Sequence, residues 1–197
     1  MDIITTEIRL VTERLDRHRV IGVTGTNGKS TTSSMIQHAM AALGHPVVLG
    51  GNIGGSLLPM IDRIGPEHWL VLELSSAMLW WLGDENGEGW SPGIAVTTNI
   101  DPNHLDWHET VEHYRHCKQN ITRFQKPGDL SFTGDDVPER VMKLLIPGKH
   151  NQINAAMASE VIHGVTGTAF DSVAETLHDF PGLPHRLQAV GLDGRIF

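Results

Sequence analysis

The segment Val20-Ile21-Gly22-Val23-Thr24-Gly25-Thr26-Asn27-Gly28-Lys29-Ser30-Thr31-Thr32 sets the architecture of this 197-residue chain. Its first four residues are apolar, which is typical of a short buried strand. Two glycines and a Lys-Ser pair follow, and they lead into apolar residues at helical spacing. A strand, a glycine-rich loop, Lys-Ser and a helix together are typical of a phosphate-binding loop. The predicted apolar face of the helix comprises Met35, Ile36, Ala39, Met40 and Leu43.

The chemistry of this loop follows from its residue types. Backbone N–H groups at a helix N-terminus lack partners within the helix and point toward an incoming anion. Gly25 and Gly28 have no Cβ, so a phosphate can approach the backbone. Lys29 supplies a positive charge for the outer phosphates, and the Ser30 hydroxyl can join a Mg²⁺ shell. The segment departs from the pattern G-x-x-x-x-G-K-[ST] at its first position, where Val23 stands. The alternative is an ordinary strand-turn-helix with a capping serine.

Composition and charge narrow the class of protein. The chain is 40% hydrophobic and 19% charged, with a formal net charge of −8, as in soluble globular proteins. It has no Lys/Arg cluster to clamp a nucleic-acid backbone. The apolar stretch Trp69–Leu82 is interrupted by Glu73 and is too short to span a bilayer. One cysteine, Cys117, and no N-terminal signal pattern favour the cytoplasm. We therefore expect neither nucleic-acid nor membrane partners.

Apolar runs and helical periodicities alternate along the chain. Strands are predicted at Val20–Val23, Pro46–Leu49, Trp69–Leu74, Ile94–Thr98 and Asp129–Phe132. Further helices are predicted at Ile4–Leu15, Ser56–Ile64, Val111–Phe124, Pro138–Leu145 and His150–His163, with part of another at Val173–Leu177. Alternating strands and helices predict an α/β fold, with a mostly parallel sheet covered by helices on both faces. Trp80 and Trp81 are expected to be core or interface residues.

Polar side chains follow three of the predicted strands. Asn52 lies in a glycine-rich loop after the second strand, Glu73 ends the third, and His104 follows the fourth. Ligands of open parallel sheets bind at the carboxyl ends of the strands, so these side chains should converge with the phosphate loop. Glu73 fits the acidic Mg²⁺ partner that such a loop requires, against the alternative of a salt-bridged or capping residue. His104 alone would be an ordinary loop histidine.

Several motifs, in order, resemble those of the Mur ligases, whose nucleotide loop also lacks the usual first glycine. The resemblance extends from about Val20 to Arg186 and covers the central, P-loop NTPase-like domain of that family. Besides the loop itself, the matching segments are Gly51-Asn52-Ile53-Gly54, Glu73-Leu74-Ser75-Ser76, Asn99-Ile100-Asp101-Pro102-Asn103-His104-Leu105-Asp106, Tyr114 with Lys118, Gly148–Ala156, and Leu183-Pro184-His185-Arg186.

The resemblance implies a role for each matching position. Catalytic roles would fall to Lys29, Glu73, His104 and Lys118. ATP would be held by Gly25, Thr26, Asn27, Gly28, Lys29, Ser30, Thr31, Asn151, Asn154 and Arg186, with the two asparagines of the second half facing adenine. The carboxylate substrate would meet Asn52, Ser75 and His104. Two Mg²⁺ sites would be formed by Ser30, Glu73, His104 and a carbamylated Lys118. By spacing alone, Lys118 would be an ordinary solvated lysine.

The resemblance also implies an activity. Mur ligases form an amide bond with ATP by activating a carboxylate as an acyl phosphate, which an amine then attacks. The Asn-Ile-Gly loop paired with Glu-Leu-Ser-Ser most resembles the branch that adds D-glutamate to UDP-N-acetylmuramoyl-L-alanine in peptidoglycan precursor synthesis. The implied protein is a cytoplasmic, monomeric, ATP-dependent acid–D-amino-acid ligase.

Departures from the family pattern limit what this chain is expected to do alone. Asn103 replaces an acid, His116 and Cys117 replace small residues, and the segment between residues 136 and 148 is short. Residues 1–182 are assigned to the ATP-binding central domain, and residues 183–197 are interpreted as a linker and the start of a truncated C-terminal domain. A hinge at residues 180–184, a strand at Leu187–Val190 and a turn at Asp193-Gly194 support that interpretation. Ligation by the chain alone is not expected.

Three alternatives stay open at the level of sequence. One is another amide ligase of the same superfamily, such as folylpolyglutamate synthase. A second is a P-loop GTPase or regulatory switch, which would need an Asn-Lys-x-Asp guanine-binding motif, and Asn99-Ile100-Asp101 has the wrong spacing for it. A third is a nucleotide-dependent scaffold, which would not need His104 and Lys118 together.

Overall fold

The computed structural model describes residues 5–83, 89–101 and 108–183. Its core is a five-stranded sheet in the order β2-β3-β1-β4-β5, and every pairing between neighbours is parallel. The predicted α/β fold is thereby confirmed. The strands are β1 Val20–Thr24, β2 Val47–Gly51, β3 Trp69–Glu73, β4 Ile94–Thr97 and β5 Leu130–Thr133.

Helices connect the strands and cover both faces of the sheet, as the sequence predicts. The α-helices are α1 Glu7–Thr12, α2 Lys29–Ala42, α3 Ser76–Leu82, α4 Val111–Arg123, α5 Lys149–Thr166 and α6 Phe170–Thr176. Short 3₁₀ helices lie at Arg17–Arg19, Leu58–Arg63 and Gly134–Asp136. No helix within the described ranges is long and apolar enough to cross a membrane.

The alternation of side chains along the strands builds two separate cores. Ile21 and Val23 of β1 and Val71 of β3 pack on one face with α2, α5 and α6. Val20 and Leu70 point to the other face, where α1, α3 and the end of α4 cover them. Because both faces are buried, the strands are almost continuously apolar in sequence, which is the pattern expected of parallel strands.

Two predicted helices differ from the structure. Ser56–Ile64 is a shorter 3₁₀ helix, Leu58–Arg63, with bonds such as Ile64 N–H to Ile61 O at 3.2 Å. Pro59 lies in the first turn, where an N–H would have no partner within the helix, and runs this short favour the tighter 3₁₀ geometry.

The helix predicted at Pro138–Leu145 is wrong, because that segment is irregular. The Met142 N–H donates to the Gln152 side chain at 2.6 Å instead of to a helical carbonyl. Val141 is 99% exposed, so the apolar residues of this segment do not share a buried face.

The sequence prediction missed helix α3. Ser75 caps it, its Oγ accepting the Met78 N–H at 3.1 Å. In sequence, α3 lies within a long apolar run that continues from β3, so no helical periodicity marks its start. Trp80 and Trp81 lie on α3 at 36% and 44% exposure and are not core residues.

The other predicted elements form with shifted ends. Helix α1 is shorter than Ile4–Leu15, whose first residue lies outside the described residues, while α5 extends beyond His150–His163 at both ends. The strand and turn predicted within residues 187–194 also lie outside the described residues.

A buried ion pair joins the segments that precede the first and the last strand of the chain. Arg17 precedes β1 and forms a two-pronged pair with Asp129, which precedes β5 and has a side chain only 2% exposed. Burial opposes ionisation of Asp129, but the hydrogen bond from Arg17 and the N–H of Lys126 outweigh it, so the pKa of this carboxyl lies below its ordinary 3.8. The pair ties the segment before β1 to the start of β5.

We predict that Arg17→Ala lowers the free energy of unfolding by about 3 kcal/mol, because it leaves a buried carboxylate without its partner. Asp129 has a depressed pKa in the folded state, so its stabilising contribution is present above pH 3.8 and is lost as the pH falls through the lower folded value. The deficit of Arg17→Ala relative to the natural chain should therefore shrink on acidification. Urea unfolding at neutral pH and near pH 3.5 measures both effects.

Arg9→Ala is the matched control, because Arg9 pairs with Glu13 on the surface at 3.2 Å. An exposed pair contributes about 0.2–1 kcal/mol. If the two alanine variants lose equal stability, the buried pair does not have the role assigned to it.

Candidate functional site

The glycine loop after β1 leads directly into the N-terminus of α2, the arrangement in which helices bind anions. Gly28 has φ +80° and forms the N-cap of α2, and a Cβ at this position would lie 2.6 Å from the Asn154 Oδ1 atom. A larger residue there would have to displace the Asn154 side chain and adopt the left-handed backbone that favours glycine. Helix α2 then begins at Lys29, so the N–H groups of its first turn face the loop.

The end of β4 holds the loop in place. Asn99 pairs with Asn27 through both ends of its amide: Oδ1 accepts the Asn27 N–H at 3.0 Å, and Nδ2 donates to the Asn27 carbonyl at 3.0 Å. The Thr98 hydroxyl donates to the same carbonyl at 2.5 Å. Thr26 is tied to Asp101 and to the Tyr114 hydroxyl, both at 2.8 Å. These contacts anchor the loop to the end of β4 and to Tyr114.

Two lysines meet at one carbonyl oxygen of the loop. Lys29 Nζ donates to Gly25 O at 2.9 Å, and Lys118 Nζ from α4 donates to the same oxygen at 2.8 Å. Lys29 also donates to Thr26 O at 2.9 Å. Two cationic groups are thereby brought to the edge of the phosphate loop, one from the loop's own helix and one from across the sheet.

Lys118 is a buried lysine rather than the solvated one that spacing alone predicts. It is 2% exposed, and it lies against the Tyr114 ring, 4.9 Å from the ring centroid. Burial, aided by the positive charge of Lys29, lowers the pKa of Lys118 to about 7, and Cys117 and Glu73 oppose the shift. A large fraction of this amine is therefore neutral near physiological pH.

Glu73 is placed by the close approach of β2 and β3. Gly51 has φ +92°, and a Cβ there would lie 2.3 Å from the Glu73 carbonyl oxygen. This contact lets Asn52 Nδ2 donate to Glu73 Oε1 at 2.8 Å. Oε2 of the same carboxylate is buried and accepts no hydrogen bond from the described residues. A buried carboxylate oxygen without a partner is costly unless a cation binds it, so Glu73 fits a metal ligand.

A cavity of about 290 Å³ opens on the Lys29–Lys118 side of the loop. It is lined by Lys29, Asn52, Ser75, Ser76, Ala77, His108, Tyr114 and Lys118. Two lysine side chains and several hydroxyl and amide groups make it suited to a carboxylate or a phosphoryl group. Asn52, Ser75 and Lys118, which the family resemblance assigns to substrate and metal, lie together here.

A second cavity, of about 510 Å³, opens on the opposite side of the loop. It is lined by Asn27, Gly28, Thr31, Asn99, Ile146, His150, Asn151, Ile153, Asn154 and Leu183. Asn151 and Asn154 project from the start of α5, where the first donates to Pro147 O at 2.7 Å and the second accepts from Thr32 Oγ1 at 3.3 Å. A mixed apolar and amide lining suits a nucleobase.

Most of the site residues predicted from sequence are brought to these two cavities or to the loop between them. Ser30 lies buried in the first turn of α2. Ser75 lines the smaller cavity, but its Oγ is engaged as the α3 cap. His104 and Arg186 lie outside the described residues, so their predicted roles stay predictions.

Three contributions were not predicted. Asn99 and Ser76 belong to motifs quoted from the sequence, but without these contacts, and the clamp of Asn99 on Asn27 depends on where β4 ends beside β1. Ser76 and His108 line the smaller cavity and contact each other, with His108 Nε2 2.8 Å from Ser76 Oγ. The sequence held no signal for this contact, because 32 residues separate its members.

Solved structures share this fold. MurF from Acinetobacter baumannii superposes with a TM-score of 0.71 at 19% identity, covering 96% of this chain and 52% of that one. MurF from Thermotoga maritima, solved in complex with ADP, superposes with a TM-score of 0.66 at 17% identity, covering 99% and 57%.

Sequence comparison gives a nearer relative. The UDP-N-acetylmuramoylalanine--D-glutamate ligase of Zymomonas mobilis is 35% identical over 196 residues, which covers 87% of this chain and 43% of the relative. The chain thus spans about half the length of the curated relatives it matches. Residues 23–144 match the family model of the Mur ligase middle domain. With the phosphate loop, Glu73 and Lys118 all inside that match, the chain belongs to the Mur ligase family.

Proposed function

We propose that this chain binds ATP with Mg²⁺ and serves a ligase that joins D-glutamate to UDP-N-acetylmuramoyl-L-alanine. The observation that carries the proposal is the buried Glu73 carboxylate, with Oε2 unpartnered among the described residues, at the carboxyl end of the strand beside the phosphate loop. The names of the curated relatives support the choice of substrates, and the ADP bound to the Thermotoga MurF supports an adenine nucleotide.

The nucleotide is proposed to lie across the loop. Its phosphates meet Gly25, Thr26, Asn27, Gly28, Lys29, Ser30 and Thr31, and its adenine enters the 510 Å³ cavity beside Asn151 and Asn154. Arg186, which the resemblance assigns to the phosphates, completes this set. Donors from the α2 N-terminus and the charge of Lys29 stabilise the phosphoryl group during transfer.

The side chains near the phosphate loop offer ligand atoms that suit the proposed Mg²⁺ ions. Ser30 and Glu73 offer a hydroxyl and a carboxylate, the hard oxygen ligands that Mg²⁺ prefers. When bound, Mg²⁺ would neutralise charge on the phosphates. A second site would use Glu73, His104 and Lys118 as a carbamate. Because carbamylation requires a neutral amine, the burial of Lys118 and its lowered pKa support that modification.

The reaction proposed is carboxylate activation followed by amide formation. A carboxylate oxygen attacks the γ-phosphorus of ATP, and the bond from phosphorus to the bridging oxygen breaks. ADP departs, and the substrate is now an acyl phosphate. The amine of D-glutamate then attacks the carbonyl carbon, phosphate departs, and the nitrogen loses a proton. Lys29 and Lys118 border the 290 Å³ cavity in which the carboxylate would sit, with Asn52 and Ser75 orienting it.

The domain assignment is part of the same proposal. Residues 1–182 form the ATP-binding central domain, and residues 183–197 belong to the linker and the following domain. Sites for the UDP group and for D-glutamate would lie in the parts of the relatives that this chain does not match. A monomer working in the cytoplasm is the proposed setting.

The first prediction concerns the phosphate loop. Lys29→Ala should abolish the rise in melting temperature that ATP and Mg²⁺ give the natural chain, because the outer phosphates lose their cation. At 100 times Kd, a ligand contributes about 2.7 kcal/mol to stability, so the effect is readily measured by thermal shift. GTP should give a much smaller rise than ATP.

Lys126→Ala serves as the control, since Lys126 precedes β5, away from the loop. It should respond to ATP as the natural chain does. An equal response from Lys29→Ala, with its nucleotide-free melting temperature preserved, would place the nucleotide elsewhere.

The second prediction concerns the buried lysine. In ¹³C-bicarbonate with Mg²⁺, the natural chain should show a carbamate carbon signal by NMR that Lys118→Ala lacks. Lys149→Ala should keep the signal, because Lys149 is an exposed lysine paired with Glu139. A spectrum with no carbamate under saturating bicarbonate would rule out the modification in this chain.

The third prediction concerns the reaction as a whole. Holding three reactants in position supplies much of the rate enhancement, and this chain is proposed to hold only the nucleotide and part of the carboxylate substrate. ADP release from the 197-residue chain with UDP-N-acetylmuramoyl-L-alanine should be slow and should not respond to D-glutamate. The full-length Zymomonas relative, assayed in parallel, should respond. Amide product from the 197 residues alone would refute the proposal that the sites for the UDP group and D-glutamate lie outside this chain.

A further inference from the structure

A group of three metal-ligating side chains lies next to the nucleotide site but is not used by the function proposed above. His108, His113 and Cys117 each offer one ligand atom, and these atoms all lie within 4.8 Å of one another. His113 and Cys117 are four residues apart on α4, so they share one face of the helix. His108 approaches the same point from just before the helix. We call these three residues the His-His-Cys cluster.

The two sulfur-to-nitrogen distances in the cluster are close to those of a tetrahedral metal site. Cys117 Sγ lies 3.5 Å from His113 Nε2 and 3.8 Å from His108 Nδ1. An ion bound at about 2.3 Å from sulfur and about 2.0–2.1 Å from nitrogen separates these ligands by about 3.5 Å at tetrahedral angles. The side chains therefore need little movement to close around an ion.

The outer nitrogen of each imidazole is already engaged with an oxygen. His108 Nε2 lies 2.8 Å from the Ser76 hydroxyl, and His113 Nδ1 donates to the His108 carbonyl oxygen at 3.0 Å. Both contacts turn the other nitrogen toward the cysteine sulfur. Protein metal sites commonly orient their histidines in this way, with the second nitrogen bonded to an oxygen in the surrounding shell.

The chemistry of the cluster selects the kind of ion. One thiolate and two imidazoles suit Zn²⁺ and similar transition ions, whereas Mg²⁺ prefers oxygen ligands. His108 and Cys117 are buried and His113 is half-buried, so an ion would enter from the His113 side, beside the exposed Trp80 ring. Burial raises the pKa of the Cys117 thiol, so an ion that binds must displace its proton.

We propose that His108, His113 and Cys117 form a site for Zn²⁺ or a chemically similar transition ion, distinct from the Mg²⁺ sites of nucleotide binding. Three protein ligands leave a fourth position for water, as in open zinc sites. The ion would tie α4 to residue 108 and, through Ser76, to α3. Because Cys117 directly precedes Lys118, the ion would also steady the turn of α4 that carries the lysine.

Cobalt(II) is the probe for this site, because its bond to a thiolate absorbs light and Cys117 is the single cysteine of the chain. The 197-residue chain, freed of metal with a chelator and kept reduced, should bind one Co²⁺ with a sulfur-to-cobalt absorption band. One equivalent of Zn²⁺ should remove the band, and excess Mg²⁺ should leave it. Failure to observe the band at stoichiometric Co²⁺ would overturn the proposal. No nucleotide is needed, so the result is independent of the proposed function.

Variants separate the cluster from other histidines. Cys117→Ala should abolish the absorption, and His113→Ala and Ser76→Ala should weaken Co²⁺ affinity by at least about tenfold. His116→Ala is the matched control, since His116 is exposed on the same helix and lies outside the cluster; its affinity should be unchanged. Circular dichroism of the metal-free variants verifies folding. An equal loss in His116→Ala, or Co²⁺ affinity that Cys117→Ala leaves intact in a folded chain, would contradict the site.

Discussion

The parallel pairing of β1 with β3 on one edge and β4 on the other is the constraint on which the site depends. The register sets Val23 beside Glu73 and Thr24 beside Thr97, so the three strands end together. The phosphate loop, the acidic residue and the Thr98–Asn99 clamp therefore start from one edge of the sheet. Buried faces on both sides keep this register, since a slip of one residue would move each apolar side chain to the wrong core.

At this edge of the sheet, two lysine side chains lie near a single buried carboxylate. Lys29 and Lys118 donate to one carbonyl oxygen, Gly25 O, and the buried Glu73 is the neighbouring carboxylate. Burial disfavours a charged Lys118, and the nearby charge of Lys29 adds to the cost, which is why the pKa of Lys118 falls to about 7. A phosphate group would relieve the repulsion, and a carbamate would turn one cation into a metal ligand. The arrangement of charges at this edge therefore favours binding of an anion.

Two neighbouring residues of helix α4 belong to two different groups of potential metal ligands. Successive residues of an α-helix project about 100° apart, so Lys118 reaches the phosphate loop while Cys117 faces His108 and His113. One environment offers hard oxygen ligands at Glu73 and the other offers nitrogen and sulfur. The two environments can therefore prefer different ions, although Lys118 and His108 both line the smaller cavity.

The amino-acid sequence by itself determined the α/β class, the position of the phosphate loop and the set of strand ends that converge there, because strand apolarity and Gly-Lys-Ser spacing are local properties. It could not determine the burial of Lys118, the pairing of Asn99 with Asn27, or the helix α3, hidden in an apolar run. The helix predicted at Pro138–Leu145 failed because Gln152, distant in sequence, takes the Met142 N–H. Tertiary structure decided these features, since each depends on contacts between residues far apart along the chain.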